Sequence, residues 1–356
     1  MESSAKLQKI KENFNASIIT NSFKKFITLY TDRISVNIQT RINYYIALFK
    51  IFSAINKNQC ITFFNGTDDE KQYTIGDNKE ILLTKKIGSE SKEGIIYFGK
   101  ININHKRLYK FAIKIMKNTE TNFKELILLN TLSKIVINNK NPHFPILYKH
   151  FICDNPISSS IYPKLIQKDK YLIILTELAN SDLSKFLRTN DDLLDDELVK
   201  NTMQQIFISI LSFHIYIKAI HTDAHWGNFL YHKIKPGGYI HYKIFNEDVY
   251  IKNMGYLWII WDYQIENINI TNNFNDYYNI ISVFENSELT QKVITYVYSD
   301  EIKAITEFIK KVLLLSIDDK KLWKNYLFKN NLFKDYLVKP EDSEIINLEN
   351  PYILNY

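Results

Sequence analysis

The stretch Ile220-His221-Thr222-Asp223-Ala224-His225-Trp226-Gly227-Asn228-Phe229-Leu230 constrains this chain more than any other. From Leu193 to about Lys218, Met203, Ile206, Phe207, Ile210, Leu211 and His214 recur near helical spacing, which predicts an apolar helix running into it. His214 reads as a core or helix-end histidine of that element. A strand-like apolar run leaves the stretch from Phe229. Between these elements stands a short polar loop with Asp223 and Asn228 five residues apart, accompanied by His221 and His225. A carboxylate, an amide and two imidazoles on one loop between two apolar elements make a candidate site.

At 356 residues the chain is long enough for two lobes, each with a core, plus an extension. Residues 1 to about 58 carry helical patterns. From Ile42 to Ile55, the residues Ile42, Tyr45, Ile46, Phe49, Phe52 and Ile55 mark one apolar face, expected to pack on the body of the protein, with partner docking as the sharper alternative. Asn65-Gly66-Thr67-Asp68-Asp69 and Gly76-Asp77-Asn78 are turn signals beside short strand-like runs. The strand Ile81-Leu82-Leu83-Thr84 leads to a segment bounded by Gly88 and Gly94 that by itself reads as a hairpin.

The strand pattern from Tyr109 to Met116 carries Lys114 among apolar residues. A helix pattern follows from Asn122 to Leu132, with Glu125 near its start and Glu120 just ahead of it. The apolar strand Tyr171–Leu175 runs into Thr176-Glu177-Leu178-Ala179. Beyond the central loop, Ile240-Tyr242-Ile244 and Val249-Ile251 alternate on either side of Asn246-Glu247-Asp248, which predicts a β-hairpin near 236–256. The large apolar run Tyr256–Trp261 ends on Asp262, and Asn275 to Phe284 reads as a helix opened by Asp276.

This ordered set resembles the protein-kinase-like phosphotransferases. His221 to Asn228 resembles their H-x-D-x-[KH]-x-x-N catalytic loop, Ala112-Ile113-Lys114 their V-A-I-K strand, and Asp262-Tyr263-Gln264 their D-F-G. The hairpin and the short segment between Asp262 and Asp276 resemble the divergent serine/threonine kinases of poxviruses and other large DNA viruses. A composition rich in Ile, Asn, Lys, Tyr and Phe, with only 9 Gly and 7 Pro, suits an AT-rich source of that kind.

The resemblance implies an α+β, bilobal fold: a helical N-terminal extension over 1–80, a small β-rich N-lobe over 81–178, and a mainly helical C-lobe over 179–356 that carries the hairpin. It implies an ATP- and Mg-dependent kinase acting on Ser or Thr of proteins. Asp223 would accept or orient the hydroxyl proton, His221 would brace the loop, and His225 would stand where protein kinases have Lys. Lys114 would reach the α- and β-phosphates, held by Glu125 or by its rival Glu120. Gly88 and Gly94 would flank the phosphate loop, Glu177 and Ala179 would hold the adenine edge through backbone groups, and Asn228 and Asp262 would bind Mg. Two departures from the family pattern are Glu90 near the place of its middle glycine and Gln264 in place of the D-F-G glycine.

Other function classes stay open at this point. A pseudokinase scaffold would keep the fold without transfer and would suit the short activation segment, a small-molecule kinase would suit His225 and the missing peptide-docking segment, and His221-Asp223-His225 read as a metal cluster, with His214 and His232 nearby in sequence, would suit hydrolysis. The 45 basic against 39 acidic residues are spread along the chain, so no nucleic-acid surface is expected. Two cysteines, Cys60 and Cys153, give no disulfide framework, and no apolar run is long enough to span a bilayer. These readings favour a cytoplasmic setting, the host cytoplasm or virion for a viral protein, and a protein substrate as partner.

Overall fold

The computed structural model describes residues 37–53, 61–65, 71–75, 81–87, 94–103, 106–153, 170–189, 195–263, 266–267, 274–284, 299–315 and 317–356. The fold is mixed α+β. The chain divides into two compact units, Met1–Thr131 with Ile146–Leu178, and Leu132–Pro145 with Ala179–Tyr356. Gly88, Glu90 and Gln264 lie outside the described residues, as do residues 1–36. Among the described residues, no helix is long and apolar enough to cross a membrane.

The first unit is organised on a seven-stranded sheet of order β1-β2-β3-β4-β5-β7-β6. Its strands are β1 (Ile61–Asn65), β2 (Lys71–Ile75), β3 (Ile81–Ile87), β4 (Gly94–Ile103), β5 (Lys106–Lys117), β6 (Leu147–Cys153) and β7 (Tyr171–Thr176). Every pairing is antiparallel, and register shifts at Leu83/Lys85, Lys100/Ile101 and Leu147/Lys149 bend the ladders, so the sheet curls. β5 and β7 run through its buried middle, with Phe111, Ile113, Ile115 and the whole of β7 shielded from solvent.

Two expectations are corrected here. Residues 1–80 are not a purely helical extension, because β1 and β2 join the same sheet as β3 through the register Tyr73↔Leu83, Thr74↔Leu82, Ile75↔Ile81. Ile75 and Ile81 are wholly buried, so the apolar strand continues the ladder where a boundary at residue 80 would cut it. The second correction concerns α1 (Ile38–Ser53), whose buried residues are Ile38, Arg41, Ile42, Tyr44, Leu48, Ile51 and Phe52. Ile46 and Phe49, expected on the packed face, are nearly half exposed (47% and 46%). The helix is apolar around much of its circumference, so periodicity alone does not select the side that docks. The docked side places Phe52 against Phe111 and Tyr148, Tyr44 against Tyr148, and the Tyr44 hydroxyl on the Lys110 carbonyl.

α2 (Glu120–Ile137) follows β5. In the second unit, α4 (Asp196–Ile217) is the central helix, entered after β8 (Ser181–Asp182) and α3 (Leu183–Thr189). Asp195 caps α4 by accepting the Leu198 N–H at 2.7 Å, and Lys218, at φ 56°, ends it. β9 (Ala219–Ile220), β10 (Phe229–Lys233), β11 (Tyr239–Ile244), β12 (Glu247–Lys252), β13 (Tyr256–Ile260), β14 (Glu266–Asn267), α5 (Phe274–Ile281) and α6 (Asp300–Leu313) follow, and after several short helical turns between Asp319 and Glu344 comes β15 (Tyr352–Leu354).

β11 and β12 form the anticipated hairpin, but its turn falls at Phe245-Asn246 and not at Asn246-Glu247-Asp248. Both turn residues have positive φ, 48° and 70°, as a two-residue hairpin turn demands. Phe245 is held there because its N–H donates to the Leu354 carbonyl at 2.9 Å, and β15 pairs in parallel with β11.

Candidate active site

In the first unit, Lys114 lies on the sheet's interior at only 5% exposure, facing Ile96 and Ile174 in the two flanking strands. A buried ammonium needs a counter-charge, and Glu125 on α2 supplies it at 2.7 Å from Nζ. The rival Glu120 is at the surface, paired with Lys124 one helical turn on, which lowers its carboxyl below the usual range through that hydrogen bond. For the phosphotransferase that the resemblance implies, Lys114→Met and Glu125→Gln are each expected to lower transfer by about 10²-fold or more while Glu120→Gln leaves it intact. A steady-state assay that found Glu120→Gln inactive and Glu125→Gln unaffected would reassign the partner.

Gly94 opens β4 opposite Met116. A Cβ there would lie 2.8 Å from the Ile115 carbonyl oxygen, so strand packing already requires this glycine. Glu177 follows β7, and its N–H donates to the Ile146 carbonyl at 3.0 Å. Ala179 opens the chain segment of the second unit, two residues further on.

In the second unit, the central loop is a series of tight turns. The N–H of Asp223 donates to the His221 carbonyl at 2.7 Å, that of His225 to Asp223 at 2.9 Å, and that of Asn228 to His225 at 2.9 Å. Thr222 takes φ 55°, an outlier for a β-branched residue, and such strain persists where surrounding contacts over-determine it. The Asn228 amide fastens the loop internally, its Nδ2 donating to the Asp223 carbonyl at 2.9 Å and approaching the Asp223 carboxylate at 3.3 Å. With Nδ2 spent in this way, Oδ1 is the atom left to meet a cation. Asp223 keeps its carboxylate 40% exposed, and His225 is half exposed beside it, Nε2 lying 3.8 Å from Oδ2. His225 Nδ1 accepts the Gly227 N–H at 2.9 Å, which assigns the neutral ring's proton to Nε2, on the Asp223 side. A Cβ on Gly227 would stand 2.7 Å from that ring, so this glycine keeps the imidazole in place.

β10 and β13 carry the two prospective metal ligands to one end of a ladder. Phe229 pairs with Ile260, and beyond that pair the Trp261 N–H donates to the Asn228 carbonyl at 2.8 Å, immediately before Asp262. β13 is an edge strand whose outer backbone groups are answered by side chains and by a buried loop. Gln205 of α4 donates to the Tyr256 carbonyl at 3.0 Å and accepts from Trp258 at 3.2 Å, while His143 bonds the Trp258 carbonyl at 2.6 Å and takes the Ile260 N–H on its own carbonyl at 3.1 Å. Asp262 itself has φ 59°, a left-handed conformation that Asp adopts more readily than most residues. Tyr263 stacks on Phe213 at 5.4 Å and returns its hydroxyl to the Ile260 carbonyl at 2.8 Å.

His221 ties the two halves of this arrangement together. Its N–H donates to Asp276 at 2.7 Å, and its Nε2 bonds the Trp261 carbonyl at 2.9 Å. Burial lowers its pKa, against the pull of Asp276, so the ring is neutral with its proton toward Trp261. Asp276 also receives Nε2 of His214 at 2.9 Å, and Nδ1 of His214 faces Asp319 at 3.1 Å. Asp319 takes the hydroxyls of Tyr277 at 2.9 Å and Tyr356 at 2.5 Å. Burial alone lowers the pKa of His214, but Asp319 and Asp276 overcome it and hold it at about 9. Burial likewise pushes Asp319 up, and the charge and hydrogen bonds of His214 bring it below the ordinary value. The sequence offers His214 and Asp276 as marked residues but no signal for Asp319 or Tyr356, whose partners stand 105 and 37 residues away.

Among the described residues, no group of three or more His, Cys, Asp and Glu side chains converges as a metal cluster. His221 and His214 spend ring nitrogens on Trp261 and on two carboxylates, which argues against the hydrolytic reading of the histidines. Magnesium asks for less protein, since one or two carboxylates suffice when phosphate oxygens complete the shell, and Asp262 with the amide oxygen of Asn228 fits that pattern. No protein-family model matches the sequence, and neither does any curated protein.

Proposed function

We propose that this chain is an ATP- and Mg-dependent phosphotransferase of protein-kinase-like fold, transferring the γ-phosphate to Ser or Thr hydroxyls of a protein substrate. The observation that carries the reading is the Asp223-Asn228-Trp261-Asp262 arrangement. One loop amide is bonded to an exposed carboxylate, and its own backbone is laddered to the residue ahead of a second carboxylate. A solvent-facing carboxylate braced by a metal-ligand amide is what alignment of a hydroxyl toward a phosphate requires.

Each residue then has a role. In the first unit, Lys114, held by Glu125, would neutralise the α- and β-phosphates. In the second, Asp262 and Asn228 would hold Mg, whose positive charge offsets the charge on the phosphate oxygens. Asp223 would orient the acceptor hydroxyl and receive its proton as the oxygen bonds to γ-phosphorus and the bond to the ADP oxygen breaks. His221, neutral and tied to Trp261, would keep Asp262 in register with the loop. The similarity of these motifs to the kinases of large DNA viruses supports a protein acceptor.

The test is thermal shift with ATP, with and without Mg, alongside transfer from labelled ATP to generic protein acceptors. Wild-type protein should show a Mg-dependent shift that Asp262→Ala loses and Asn228→Ala weakens less. A shift in the Asp262→Ala protein equal to wild type would remove Asp262 from the site. Nucleotide binding without transfer to any acceptor would identify a scaffold instead of an enzyme.

A further inference from the structure

Three lysines gather around one aromatic residue on a face of the first unit's sheet. Lys100 of β4 stands directly opposite Lys110 of β5, and Phe98, two residues back on β4, stands opposite Lys85 of β3. Residues paired in this way share a face, and so do alternate residues of one strand, so all four side chains lie on the same side of the sheet. Nζ of Lys100 is 5.9 Å and Nζ of Lys110 5.7 Å from the centroid of the Phe98 ring. Lys85 and Lys110 are exposed, and Phe98 and Lys100 are half-buried. Among the described residues, no carboxylate pairs with any of the three lysines.

Stability does not explain this gathering. Like charges directly opposite in an antiparallel ladder destabilise it, and here nothing offsets the opposition of Lys100 and Lys110. Lys85 joins them only through a bulge. Leu83 pairs with Gly99 and Lys85 with Phe98, which leaves Thr84 as the extra residue, its hydroxyl donating to the Phe98 carbonyl at 3.0 Å. In a regular strand Lys85 would share the buried face of Leu83, since side chains alternate with a period of two. A second register shift falls at Lys100 itself, between Lys100 and Ile101. The patch lies apart from the lysine assigned to the phosphates, because Lys110 precedes Lys114 by four residues of β5, about 14 Å along the strand. We infer that this face docks an acidic polypeptide segment of a partner protein, extended and carrying carboxylates at alternate residues so that all of them face the sheet. Charge complementarity selects the partner's sign, and the ring selects its class. A nucleic acid needs an open aromatic face on which a base can stack, whereas two ammonium groups already lie over Phe98. The inference stands independently of the nucleotide-binding reading.

The experiment is fluorescence anisotropy of a labelled peptide of alternating Glu and Thr added to the full chain, with a Gln-Thr peptide and an oligothymidylate as comparison probes. The variants are Lys100→Gln, the combination of Lys85→Gln, Lys100→Gln and Lys110→Gln, and a control that removes the same charge at the exposed Lys134, Lys140 and Lys320. Wild-type protein should bind the Glu-Thr peptide in preference to both other probes, and less tightly as salt rises. The combined variant should lose about tenfold in affinity and Lys100→Gln about threefold, with the control within about twofold of wild type. Because Lys100→Gln relieves the opposition to Lys110, its melting temperature should rise by about 1 °C while its binding weakens. Should the combined variant fail to fold, Lys100→Gln and Lys110→Gln singly carry the test. Equal loss in the control would assign the binding to net charge, and wild-type protein that ignores the Glu-Thr peptide would leave the face without its partner. Either result overturns the proposal. Tighter binding of the oligothymidylate, lost in the combined variant, would mark a nucleic-acid surface and overturn it as well. Unchanged binding with a lowered melting temperature in Lys100→Gln would show that the lysines are structural.

Discussion

The Asp223→Asn protein is expected to lose phosphoryl transfer by about 10²- to 10⁴-fold while its affinity for Mg·ATP stays within about twofold of wild type. The substitution is close to isosteric. The 2.9 Å bond from Asn228 to the Asp223 backbone carbonyl does not involve the side chain and survives, so the loop keeps its shape. What disappears is the negative charge of an exposed carboxylate, and with it the group proposed to orient the hydroxyl and take its proton. No replacement is at hand, because no other Asp or Glu occurs between Ile206 and Phe245. Single-turnover assays on wild type and variant, with ATP binding measured in parallel, decide the matter. Equal transfer rates would mean that the loop has been assigned wrongly.

The His214→Leu protein is expected to lose about 3–5 kcal/mol of stability, since removing the imidazolium leaves Asp276 and Asp319 as buried carboxylates without their counter-charge. The pH dependence gives the sharper test. The folded-state pKa of His214 is raised from 6.5 to about 9, so its contribution is fully present below pH 6.5 and is lost as pH rises through 9. A shift of that size corresponds to about 3 kcal/mol, shared among the coupled groups of the network. Wild-type stability should therefore decline between pH 6.5 and 9 relative to the variant, in which that slope is absent. Parallel pH profiles for the two proteins would show that His214 is not charged in the fold. Asp276 also holds the His221 N–H, so the variant should lose transfer activity at temperatures below its own melting point.

Local order was legible because it is written in periodicities and turn chemistry that neighbouring residues set among themselves. The strand bearing Lys114, the helix bearing Glu125, the helix into the loop, the β11-β12 hairpin and the apolar strand before Asp262 all follow from alternation or from three- and four-residue spacing. Where the local pattern left a rival reading open, only the tertiary structure decided. Glu125 over Glu120 was decided by which carboxylate the helix turns toward a buried ammonium. The hairpin turn moved to Phe245-Asn246 because β15, more than a hundred residues on, receives the Phe245 N–H.

The sequence by itself determined the order of the elements from β3 to α5, the mixed α+β class and the identity of the polar residues on the central loop. Only the tertiary structure decided which side of α1 is buried, that β1 and β2 extend the sheet, and that Arg41 meets Glu177 across 136 residues and His214 meets Asp319 across 105. The physical reason is the same in each case. Hydrogen bonds of turns, caps and ladders between neighbouring strands are satisfied by nearby residues and leave a pattern in sequence. A buried charge accepts whichever counter-charge the fold delivers, and no spacing along the chain records that choice.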